Sequence, residues 1–63
     1  MTHTIEVYIH VRGQFLRCVS VQLTDATRIG ETVKMIQIET RFSEPQATFT
    51  VMIDGEIYTE GEY

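Results

Sequence analysis

Two histidines, one cysteine and a pair of glutamates near the C-terminus are the residues of this chain whose types could support chemistry. His3 and His10 stand seven positions apart within an alternating segment. An odd separation on a strand sends two side chains to opposite faces, so they cannot share a ligand. Cys18 has no CxxC partner and no histidine downstream to act as its base. Its ordinary role is that of a small apolar residue on a sheet, and His10 reads as a polar residue on an exposed strand face. Glu60 and Glu62 are paired carboxylates, but on a short tail both lie in water, where nothing raises a pKa for acid–base work. Gly13, Gly30, Gly55 and Gly61 are spread singly and make no phosphate loop. The expectation is a protein without catalytic residues, cofactor or metal.

The same tail admits a different use. The last ten residues, DGEIYTEGEY, hold four carboxylates, two tyrosines and no base. Such a segment is either a solvated edge whose charges keep a sheet from pairing further, or a contact surface. In the second reading tyrosine supplies area at low entropic penalty and the carboxylates select a basic groove. Tyr58, Glu60, Glu62 and Tyr63 are then the partner-binding candidates.

The elements that must position these residues follow from periodicity. Ile5, Val7, Ile9 and Val11 alternate with Glu6, Tyr8 and His10, the pattern of a half-buried strand. A second strand runs from Phe15 to Leu23, and Arg-Gly-Gln makes the join a hairpin. A three-residue loop pairing Val11 with Phe15 places Val7 opposite Val19 and Ile5 opposite Val21. Phe15, Val19, Val21 and Leu23 then share one apolar face. Thr24, Asp25 and Thr27 are good N-caps, Glu31 suits the positive end of a helix dipole and Pro45 stands beyond the end. These predict a helix from about Ala26 to Arg41. The β-formers Val33, Ile36 and Ile38 leave a strand over residues 32–42 as the alternative.

On a helix the apolar residues form two stripes. Ala26, Ile29, Val33, Ile36 and Thr40 share one face, and Met35, Ile38 and Phe42 fall nearly opposite. The second stripe either lies under the C-terminal segment as core, or is exposed and docks a partner. TFTVMI is a further strand, and Asp54-Gly55 is a strong hairpin signal that sets Met52 against Ile57 and Val51 against Tyr58. The predicted order is β-β-α-β-β, an α+β domain whose antiparallel sheet of about four strands carries one helix on a face. Residues 1–63 form one compact domain with an acidic C-terminal hairpin and tail.

At 63 residues the core is small, and a single cysteine allows no internal disulfide. A homodimer or a tight partner is the remaining stabiliser. Net charge is −4, from nine acids against five bases, which disfavours a direct hold on nucleic acid and favours proteins with basic surfaces. The first residues alternate where a secretory leader would be basic and then apolar, and no run is long enough to span a membrane. The expected setting is the cytoplasm, with Cys18 reduced.

The N-terminal hairpin IEVYIHVRGQFLRCVSVQL, the central helix and the late strand VMIDGEIY together resemble the layout of phage antitoxins of the Dmd type. They also look like other compact phage inhibitors of host defences. The resemblance covers most of the chain and lies in layout, with only the short apolar–Ile–Asp–turn segment within VMIDGEIY alike at residue level. It implies a protein of the host-cell cytoplasm that binds and silences a toxin ribonuclease. Anti-CRISPR proteins of similar size block effector complexes, often through acidic surfaces. The expected function is a non-catalytic protein-binding module that inhibits a partner by occluding a basic or nucleic-acid-binding surface. The alternative is a small self-associating structural protein.

Overall fold

The computed structural model describes residues 1–58, and their elements follow the predicted order. β1 (His3–Val11) and β2 (Gln14–Leu23) form a hairpin. A 3-10 turn (Ala26–Arg28) leads into α1 (Ile29–Ser43), and β3 (Ala47–Ile53) and β4 (Glu56–Ile57) form a second hairpin. The fold is α+β, with a four-stranded antiparallel sheet in the order β2-β1-β3-β4. β1 is therefore central. Its alternation puts Ile5, Val7 and Ile9 wholly out of water, where they join Val33, Ala47 and Val51 as the buried core.

The first hairpin differs from expectation at its tip. The turn is the two residues Arg12 and Gly13, with φ of +55° and +78°, and Val11 pairs with Gln14 rather than Phe15. His10 pairs with Phe15 and Ile9 with Arg17, so Leu16 is an extra residue, a bulge. Beyond it Val7 meets Val19 and Ile5 meets Val21, as the apolar pattern requires. Two-residue turns with positive φ match the strands' twist, and a bulge absorbs one surplus residue. The correction has a consequence for Phe15, which lies on the outer face, 60% exposed, with its ring 6.4 Å from Tyr8 and 5.8 Å from His10.

Asp25 starts the helical segment. Its carboxylate accepts from the Thr27 hydroxyl at 2.6 Å and the Thr27 N–H at 3.0 Å. The segment opens as a 3-10 turn before the α-helix proper, which runs two residues past Arg41 to Ser43. It ends where the Glu44 N–H reaches the Thr40 carbonyl at 2.8 Å and Pro45 follows. Val33, Gln37 and Thr40 are buried and Ile29 and Ile36 half-buried, so one stripe packs on β1 and β3. Burial of that stripe overrides the strand preference of Val33 and Ile36.

The second hairpin turns at Asp54 and Gly55, with φ of +52° and +83°, and sets Met52 opposite Ile57. Asp54 also ties this turn to the start of β1. Its carboxylate accepts from His3 Nδ1–H at 2.8 Å and the Thr4 N–H at 3.0 Å, while its own N–H donates to the Thr4 carbonyl at 2.9 Å. These bonds hold the Asp54 carboxyl below the usual carboxylate range, first through His3 and then through the Thr4 N–H. Asp25 is lowered in the same way by the Thr27 hydroxyl and N–H.

Two outcomes follow. A group with a depressed folded pKa adds stability above its unfolded value, near 4 for aspartate, and loses it as pH falls through the folded value. The urea midpoint is therefore expected to drop below about pH 4, and Asp54→Asn, which keeps the turn conformation, to flatten that drop. An unchanged acid slope in Asp54→Asn removes the turn from the account. Separately, Gln37 is only 5% exposed and its Oε1 has no hydrogen-bond partner among the described residues. Gln37→Met should stabilise the domain by about 1 kcal/mol and raise Tm by roughly 4–8 °C in a calorimetric scan.

Candidate protein-interaction surface

The residues singled out for chemistry are used structurally or stand apart. His3 is held by Asp54, and His10 lies edge-on to Phe15 on the outer sheet face. Cys18 is exposed and pairs across the ladder with Tyr8, not with His10. The Glu6 carboxylate beside Tyr8 pushes its phenol above the ordinary value, so that hydroxyl stays protonated. No group of three or more metal-ligating side chains gathers among the described residues. One cleft of about 690 Å³ lies between the first hairpin tip and Glu44, Pro45 and Gln46. Another of about 560 Å³ lies between the start of the helical segment and the second hairpin. Neither is lined by histidine or cysteine. Among the described residues no helix is long and apolar enough to cross a membrane.

What the helix positions is apolar surface. Met35 is 53% exposed, Ile38 47% and Phe42 85%, on the face opposite the stripe that meets the sheet. At helical spacing of three and four these side chains are neighbours. As far as Tyr58, the described C-terminal residues leave all three exposed. Sequence position puts Lys34 and Arg41 on one flank of the stripe and Glu39 on the other, with Glu31 one turn before Met35. Arg41 is drawn toward the sheet, its guanidinium 5.1 Å over the Phe49 ring. That contact shields β3 and leaves Phe42 uncovered.

The tail candidates separate. Tyr58 is half-buried and packs against the core, its N–H donating to the Val51 carbonyl at 2.8 Å. Its hydroxyl comes within 3.6 Å of where a Cβ on Gly30 would sit. The ring therefore serves the domain's own packing against α1. Glu60, Glu62 and Tyr63 lie outside the described residues.

Sequence reasoning missed the aromatic group on the outer face, formed by Tyr8, His10 and Phe15. The signal was the Arg-Gly dipeptide, which suits a two-residue turn and shifts Phe15 by one position. A stability test separates exposed from structural residues in the helix. Phe42→Ser should change unfolding free energy by less than about 0.5 kcal/mol, whereas Val33→Ala in the core should lower it by roughly 1–3 kcal/mol in urea titrations. A large loss in Phe42→Ser would assign that ring to the domain's own packing.

No protein-family model, curated protein or solved structure matches the chain, so its surfaces are interpreted from their own chemistry.

Proposed function

We propose that this chain is a non-catalytic module that binds a partner protein and inhibits it by covering a basic or nucleic-acid-binding surface. This is the manner of the small phage inhibitors whose layout it resembles. The observation that carries the reading is Phe42, an aromatic side chain 85% exposed at the C-terminal end of an apolar row with Met35 and Ile38. Aromatic anchors of this kind, set on a rigid element and surrounded by polar residues, supply most of the energy of protein interfaces. A helix that lays such a row into a groove is a recurring recognition mode. The net charge of −4 selects among grooves, favouring partners with basic surfaces and speeding their approach. Glu60 and Glu62, which follow the second hairpin in sequence, supply two of the nine acids behind that charge.

The test uses the purified domain as bait beside a variant carrying Met35→Ser, Ile38→Ser and Phe42→Ser. A stoichiometric basic partner retained by the native domain should be lost from the variant, with Phe42→Ala alone weakening affinity by at least tenfold, about 1.4 kcal/mol. Glu60→Lys with Glu62→Lys should slow association and flatten its salt dependence. Equal retention by the triple variant rejects the helix as the docking face. A partner whose activity is unaffected by saturating domain rejects inhibition.

A further inference from the structure

The two edges of the sheet are built differently. β4 is two residues long and flanked by Asp54 and its own Glu56, the short and charged edge by which sheets avoid further pairing. β2, at the other edge, has ten residues, no proline and Arg17 as its only charge. Among the described residues no strand pairs with its outer side. It is also poorly covered. α1 lies over β1 and β3, and the helix-side residues Val19, Val21 and Leu23 remain half-buried.

Which backbone groups β2 offers can be derived from β1. Thr4 gives its N–H and C=O to Asp54, and the His10 carbonyl accepts from Thr48, so the even-numbered residues of β1 turn their backbone toward β3. The odd-numbered residues then bond to β2, because backbone direction alternates along an antiparallel strand. Their partners Arg17, Val19, Val21 and Leu23 are thereby satisfied. Cys18, Ser20 and Gln22 point both N–H and C=O outward.

We propose that β2 pairs antiparallel with β2 of a second copy, about a twofold axis at Ser20. In this register Ser20 meets Ser20 of the copy and Cys18 meets Gln22 in each direction, so all the outward groups of these residues find partners. Moving the axis by one residue, to Val19 or Val21, shifts the register by two and leaves Gln22 facing the Leu16 bulge or Cys18 facing Thr24. Side chains agree with the backbone. Val19 meets Val21 of the copy on the helix-bearing face, extending the apolar surface that α1 leaves half-covered. Arg17 falls opposite Leu23, and the next charge along the copy is Asp25, of opposite sign, so no like charges meet. A twofold of this kind keeps both helices on one side of a continuous sheet. Pairing through one strand buries less than about 1,200 Å², which places the dimer among weak, micromolar associations. The inference does not depend on the inhibitory reading.

Sedimentation equilibrium of the full chain from micromolar to millimolar concentration tests it. The native chain should pass from one-chain to two-chain mass. Ser20→Lys, an exposed change that sets two lysines face to face on the axis, should weaken dimerisation at least tenfold. Ser20→Pro, which removes only an outward N–H, should do the same, with circular dichroism reporting the fold. In a Cys18→Ser background, Ser20→Cys should cross-link to its copy with a short bis-maleimide, because paired Cα atoms lie about 5.5 Å apart. One-chain mass throughout overturns the proposal, and so does a dimer that survives both Ser20 variants. A dimer lost in Phe42→Ser but kept in Ser20→Lys overturns it too, assigning the contact to the helix.

Discussion

Everything in this fold depends on the way β1 divides its groups. The odd-numbered residues Ile5, Val7 and Ile9 send their side chains to the helix side and their backbone to β2, and the even-numbered residues between them send their side chains outward and their backbone to β3. The apolar residues Ile5, Val7 and Ile9 are thus buried because β1 is central, and β1 is central because both neighbours bond to it. A slip of one residue would expose the row and bury Glu6, Tyr8 and His10. The bulge at Leu16 and the Asp54 contacts to His3 and Thr4 guard that register from the two ends.

The core thus fixed is small, with six buried apolar residues among the described ones. A domain of this size buries only about 60% of its unfolded surface, so stability rests on local devices as well. The Asp25 cap and the two turns with left-handed backbone each remove an alternative conformation or an unsatisfied group. Gln37 works against them, an amide oxygen left without a partner between helix and sheet. Nothing in the described residues explains its retention.

Element order and the two helix stripes were legible in the sequence because both express periodicity, which survives any detail of packing. The paired turn at Asp54-Gly55 and its register were legible for the same reason. The tip of the first hairpin was not. Arg-Gly with the bulge and Arg-Gly-Gln without one give the same pairing of Val7 with Val19, and only the placement of Phe15 tells them apart. Tyr58 was legible only in part. Its place opposite Val51 follows from the Asp54-Gly55 turn, whereas its packing against the core, near Gly30 on α1, is a tertiary fact with no periodic trace. The exposure of Met35, Ile38 and Phe42 likewise depended on where the C-terminal segment runs, which no local pattern encodes.

An exposed phenylalanine on an otherwise small domain would ordinarily invite aggregation. Two features restrain it here. A net charge of −4 sets copies against one another at long range. At short range the stripe has Lys34 and Arg41 on one flank and Glu39 on the other. Two such helices packed antiparallel about a twofold bring like flanks together, basic beside basic and acidic beside acidic. In that arrangement the stripe is poorly matched to its own image, while a groove of opposite polarity would meet both flanks with attraction. β2 is matched to its image in both backbone and charge. The two proposals therefore use different parts of the surface, the β2 edge for a second copy and the helix stripe for a different protein.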